Sequence, residues 1–208
     1  MNGTAHATIG AGVGFITAQS VQADPGGMLL LIGIGTVAGL MPDLDIDGKL
    51  SNKITFSHTL IRSIAQFIGL LMIGYILLEE TGTNKWLGIC IGAAIMIISS
   101  FIKQRHMLTV TGIGVLGGGL LLQEMWLSLL GIFVIFASFV PHRSYTHSLL
   151  GIGYVGIIAY YLEVSLESQG VFLACLLGYI SHLLADLKIL PFNKRGVKFF
   201  LPFSSKEF

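Results

Sequence analysis

Eight apolar runs dominate the chain, at about 7–22, 28–41, 60–78, 86–102, 107–122, 125–141, 147–163 and 170–187. In water, 208 residues would have to bury nearly all of these runs at once. In a bilayer each run can satisfy its own backbone as a helix and turn its side chains to lipid. Composition decides between the two, because the mean hydropathy is +0.81 and only 11% of residues are charged, against about 25% in soluble domains. The expectation is an all-α fold: a polytopic membrane helix bundle of about eight transmembrane or membrane-embedded helices, forming a single integral-membrane helical domain over 1–208. Several runs are short. A 16-residue helix reaches roughly 24 Å against a hydrocarbon core of about 30 Å, so some need not cross fully. The first run ends in Val21-Gln22-Ala23 like a signal peptide, but no Lys or Arg precedes it, so it is expected to stay as the first helix.

If all eight runs cross, the connections alternate between two sides. One side collects the N-terminus, 42–59 with the start of the third helix, 103–106, 142–146 and the tail from about 188, and with them eleven of the twelve Lys and Arg residues. The other side holds Lys85 with Asp24, Glu79, Glu80, Glu124, Glu163 and Glu167. Positive residues mark the cytoplasmic face, which predicts both termini inside. The basic residues are dispersed rather than gathered on a soluble face, and the net charge is only +1, which argues against a nucleic-acid partner. Cys90 and Cys175 lie inside apolar runs and suggest neither a disulfide nor redox chemistry. The glycine-dense stretches 112–119 and 151–156 predict close helix–helix approach.

Candidate ligands sort the same way. His6, Asp43, Asp45, Asp47, His58, His142, His147, His182 and Asp186 fall on the basic side or within about a turn of it, as a shared site requires. In Met41-Pro42-Asp43-Leu44-Asp45, proline ends the helix and two carboxylates follow at alternate positions. That pattern serves a hard metal or a metal-bound phosphate, and equally a solvated acidic turn. His182 and Asp186 are four apart, on one face of a helix, and can present an imidazole and a carboxylate to one metal or bond a neighbouring helix. His142 and His147 bracket a turn in which Ser144 or Thr146 can cap the following helix. Arg143 beside that N-terminus suits a phosphate oxygen, or a snorkelling surface role. His6, His58 and His106, taken singly, read as interfacial or capping residues.

With Met41-Pro42-Asp43-Leu44-Asp45, His142-Arg143-Ser144-Tyr145-Thr146-His147-Ser148, Gly178-Tyr179-Ile180-Ser181-His182-Leu183-Leu184-Ala185-Asp186 and the tail Gly196 to Phe203, the chain resembles the YdjM-type family. These are bacterial inner-membrane proteins regarded as candidate metal-dependent hydrolases and also labelled LexA-binding. Through that family the chain is distantly similar to zinc-dependent phospholipase C and P1-type nucleases. The resemblance implies that His6, Asp43, His142, His147, His182 and Asp186 ligate metal, with His58 and Asp45 as further candidates. It departs from the family pattern after Asp186, where Leu187-Lys188-Ile189-Leu190 replaces a turn that often holds Thr.

Together these readings point to a membrane-embedded metal-dependent hydrolase of the bacterial inner membrane, multi-pass, with its site facing the cytoplasm. Its substrate would be a phosphoester, such as a phospholipid or lipid-linked phosphate. One to three divalent ions are expected, zinc above all given the imidazoles. Arg143 would orient the phosphate, and Asp45 could serve as general base. A metal-ion transporter would use the same ligands, but no polar ligand continues a path at mid-span or on the opposite face. A non-catalytic scaffold for a cytoplasmic regulator would have only 42–59 and the basic tail for docking. Oligomeric state leaves no mark on the sequence.

Overall fold

The computed structural model describes residues 2–44, 57–79, 84–141, 143–189, 193 and 196–208. All eight apolar runs are helical: α1 (Gly3–Ser20), α2 (Pro25–Ala38), α3 (His58–Glu79), α4 (Asn84–Ser100), α5 (Gln104–Leu121), α6 (Met125–Ala137), α7 (Leu149–Leu166) and α8 (Val171–Ala185). Two 3-10 turns, Met41–Leu44 and Tyr145–His147, lie between helices, and the described residues contain no strand. Two helices are long and apolar enough to cross a membrane, α3 over His58–Leu78 and α7 over Leu149–Leu166; a third is counted if α4 and α5 are taken as one span. The others are shorter or less apolar. At about 1.5 Å per residue, the 13 residues of α6 reach roughly 20 Å.

Backbone contacts divide the chain into two compact units, Met1–Ser51 with Leu108–Phe208, and Asn52–Met107. In the smaller unit α3 packs along α4. Leu60, Phe67, Leu71, Tyr75 and Leu78 of α3 are more than half exposed, an apolar face that water would not tolerate and lipid would solvate.

In the larger unit α1 packs on α2, both pack on α8, and α8 in turn lies against α7 and α7 against α6. Local sequence sets the ends. Asn2 caps α1 by accepting from the Ala5 amide at 2.9 Å. Asp24 caps α2 through the Gly27 amide at 2.9 Å, with Pro25 in the first turn, where its missing N–H costs nothing. Asn193 closes α8, its side-chain amide donating to the carbonyls of Ala185 and Leu187 at 2.8 and 2.9 Å. Close approach comes from single glycines. A Cβ on Gly10 would fall on the Gly35 carbonyl, and one on Gly178 would stand 2.7 Å from that same oxygen. Gly35 is thus the point where α1, α2 and α8 meet backbone to backbone. Ala38, Leu44, Val155, Cys175, Tyr179 and Leu183 fill the core beside this seam.

Candidate metal centre

The helix starts and ends of the larger unit bring five polar side chains together. His6 stands near the start of α1, Asp43 in the 3-10 turn after α2, His147 in the one before α7, His182 in the last turn of α8 and Asp186 just past it. Pro42 and the buried Met41 and Leu44 anchor the Asp43 turn. His6, His147, His182 and Asp186 are at most 2% exposed, among the most buried side chains of the molecule. Polar groups so deep are costly unless something satisfies them.

The carboxylate of Asp186 is the hub. His6 Nε2 lies 3.4 Å from its Oδ1, while His182 Nε2 at 3.7 Å and His147 Nε2 at 4.0 Å face its Oδ2. Arg143 Nη2 donates to the same Oδ2 at 3.1 Å. His182 Nε2 also faces Asp43 Oδ1 at 3.6 Å. The His6 and His182 rings stack with centroids 3.7 Å apart, and His147 meets His182 edge-on at 5.3 Å. His6 Nδ1 is buried without a hydrogen bond.

The outer nitrogens are held. His182 Nδ1 is 2.7 Å from the Gly39 carbonyl, which can only accept, so the proton sits on Nδ1 and the Nε2 lone pair turns inward. His147 Nδ1 pairs with Thr146 Oγ1 at 3.1 Å, and the Thr146 carbonyl accepts from the Tyr179 hydroxyl. Asp186 lies beyond the last helical residue. Burial alone would raise its carboxyl; the facing imidazoles of His6 and His182 and the guanidinium of Arg143 outweigh burial and hold it well below the usual carboxylate range.

This donor set fits a metal. Four ligands at about 2.0 Å from a zinc ion stand roughly 3.3 Å apart, and the imidazole-to-carboxylate gaps here run from 3.4 to 4.0 Å. Such gaps are long for hydrogen bonds and close to a coordination edge. Two groups of three can each hold an ion, His6 with Asp43 and His182, and His147 with His182 and Asp186, their ligand atoms all within 4.8 Å of one another. The groups share His182, whose Nε2 can serve one ion at a time.

The family model described as YdjM inner membrane protein matches residues 1–208. The chain belongs to that family. Neither the curated proteins nor the solved structures contain a match.

In this YdjM-family chain, His6, Asp43, His147, His182 and Asp186 come together in the two metal-capable groups, and Arg143 joins them through its ion pair with Asp186. Arg143 has a left-handed backbone (φ +59°), which an L side chain adopts at a cost of about 1–2 kcal/mol. Strain of that kind collects at functional sites. His58 is in the smaller unit, its Nδ1 2.8 Å from Gln104 Oε1. His142 and Asp45 lie outside the described residues. The cap on α7 is neither Ser144 nor Thr146: because 145–147 forms a 3-10 turn, α7 begins later and Ser148 accepts from the Gly151 amide at 3.5 Å. Sequence reasoning missed the orienting partners Gly39, Thr146 and Tyr179. Thr146, directly before His147, was the one signal available.

Proposed function

We propose that the protein is a membrane-embedded metal-dependent hydrolase acting on a phosphoester at the cytoplasmic interface. The observation that carries this reading is the convergence of three buried imidazoles and two carboxylates, with coordination-sized gaps, at one end of a helical inner-membrane unit. The imidazole-rich set favours zinc. Such an ion, when bound, supplies an acidified water and an electrophile for phosphate oxygens.

The chain's own residues do the rest. Asp43 and Asp186 against Arg143 leave the cluster one negative charge in excess when the histidines are neutral, which attracts a cation. Arg143, its side chain 19% exposed, stands at the rim, where its guanidinium can reach a phosphate oxygen. Asp186 holds Arg143 and the imidazoles in one geometry. The Gly39 carbonyl and Thr146 hydroxyl fix two rings against rotation. Asp45, close in sequence to Asp43, is the residue we assign as general base. With both termini inside and all eight helices crossing, the basic segments flanking Arg143 and Asp186 put this end of the unit in the cytoplasm.

Elemental mass spectrometry on detergent-purified protein tests the reading, followed by hydrolysis assays on phosphomonoesters and phosphodiesters. Wild type should carry about one or more equivalents of zinc, lost in both His182→Ala and Asp186→Ala. Wild type that stays metal-free after equilibration with zinc would overturn it.

A further inference from the structure

Beside the centre, α6 and α7 enclose a cavity of about 240 Å³. Its mouth is framed by Ile132, Phe136 and Leu150, each about half exposed, and its depth by Phe133 and Tyr154. Thr146 closes the inner wall. Almost no polar surface faces this cavity, and two hydroxyls of its lining are engaged elsewhere: that of Tyr154 donates to the Leu129 carbonyl at 3.0 Å, and that of Thr146 pairs with His147. A water needs two to four polar partners to settle in a cavity, so this one suits an apolar occupant. The volume is ample, since an apolar cavity of about 150 Å³ already holds benzene.

Two features say which apolar occupant. The mouth opens through exposed Ile, Phe and Leu side chains, beside a helix long and apolar enough to cross the membrane, so what reaches it is the hydrocarbon of a lipid. The inner wall is the 3-10 turn Tyr145–His147, whose last residue faces Asp186 in the metal-capable cluster and which Arg143 closely precedes. We propose that this cavity seats a hydrocarbon chain of the substrate, so that the centre acts on chain-anchored phosphoesters entering laterally from the bilayer. The inference rests on the hydrolase reading for its phosphoester. Lipid tails are as apolar as the lining, so the seat gains little by transfer from lipid; it acts by packing, holding the chain in one register with its head at the turn.

The full chain in detergent is photolabelled with dodecyl phosphate carrying a mid-chain diazirine, and the labelled peptides are mapped by mass spectrometry. Label should concentrate on 132–136 and 150–154, fall with added dodecyl phosphate but not with inorganic phosphate, and drop about tenfold or more in Ile132→Trp at unchanged metal content. Leu150→Trp repeats the block from the other helix, so a folding defect in one variant is not mistaken for lost binding. Label spread evenly over the exposed apolar faces of α3 and α7, indifferent to both variants, overturns the proposal. Specific label without any hydrolysis removes the catalytic reading and keeps the lipid seat. Equal hydrolysis of dodecyl phosphate and glycerol phosphate, unchanged in Ile132→Trp, keeps the catalytic reading and overturns the seat.

Discussion

Thr146 is where the centre's geometry depends on a residue that would never touch the metal. Its hydroxyl is 3.1 Å from His147 Nδ1, and a ligating imidazole needs that outer nitrogen held if Nε2 is to keep its lone pair on the ion. Thr146→Val keeps the shape and removes the bond. It should weaken zinc binding about 10–100-fold in a chelator competition, while Thr146→Ser should restore it. Equal affinity in all three proteins would show that His147 is not a ligand. At this scale the sequence was legible only where ligands sit close together. His182 and Asp186, four apart on a helix, announce a shared face, and Asp43 stands out beside a helix-ending proline. His6 reads alone as an interfacial residue. Its partner Asp186 lies near the far end of the chain, and only packing brings the two within 3.4 Å.

That packing belongs to the helices. α8 carries Gly178 against Gly35 and, one turn later, His182 against the Gly39 carbonyl, so the seam that brings the backbones together also sets the ligand. Gly178→Ala would push a methyl into the Gly35 backbone, an overpacking cost of about 1–3 kcal/mol. The expected result is lower thermal stability together with loss of zinc, because α8 must shift and His182 with it. Gly153→Ala is the control: a Cβ there meets nothing within 4 Å, so stability and metal should both hold. A Gly178→Ala protein with full zinc would break the link between seam and site. The glycine-dense stretches were the weaker guide. Gly112 and Gly119 do pack tightly, against Ile135 and Ser128, but Gly114, Gly117, Gly118 and Gly153 face open space. The tightest seam uses Gly10 with Gly14 and Gly35 with Gly39, spaced four apart, the small-residue pattern that places two glycines on one helix face. Density records composition; spacing records a face.

For the whole molecule, the apolar runs named every α-helix among the described residues, since each run long enough to need lipid or a core must satisfy its backbone internally. They did not reveal how many helices cross. That depends on length against bilayer thickness, and α2, α6 and α8 at 14, 13 and 15 residues fall short of the roughly 20 that a span needs. Nor did they reveal the division into two units, which depends on contacts between distant segments. The charge bias still makes a firm prediction about sides. Gln123 joins α5 to α6 and Glu167 follows α7, both on the side poor in Lys and Arg, whereas Lys188 and Lys206 lie on the rich side. With Cys90 and Cys175 replaced by Ala, single cysteines at these four positions can be probed in intact cells with a membrane-impermeant maleimide. Cysteine at 123 and 167 should label from outside, and cysteine at 188 and 206 only after the membrane is opened. Short helices can meet this pattern if the bilayer thins around them or the unit's core carries them across, at a cost of fractions of a kcal/mol per Å of mismatch. Labelling of 123 and 188 from the same side would mean that some helices between them turn back within the membrane. The metal-capable end of the unit would then have to be placed by measurement rather than by charge.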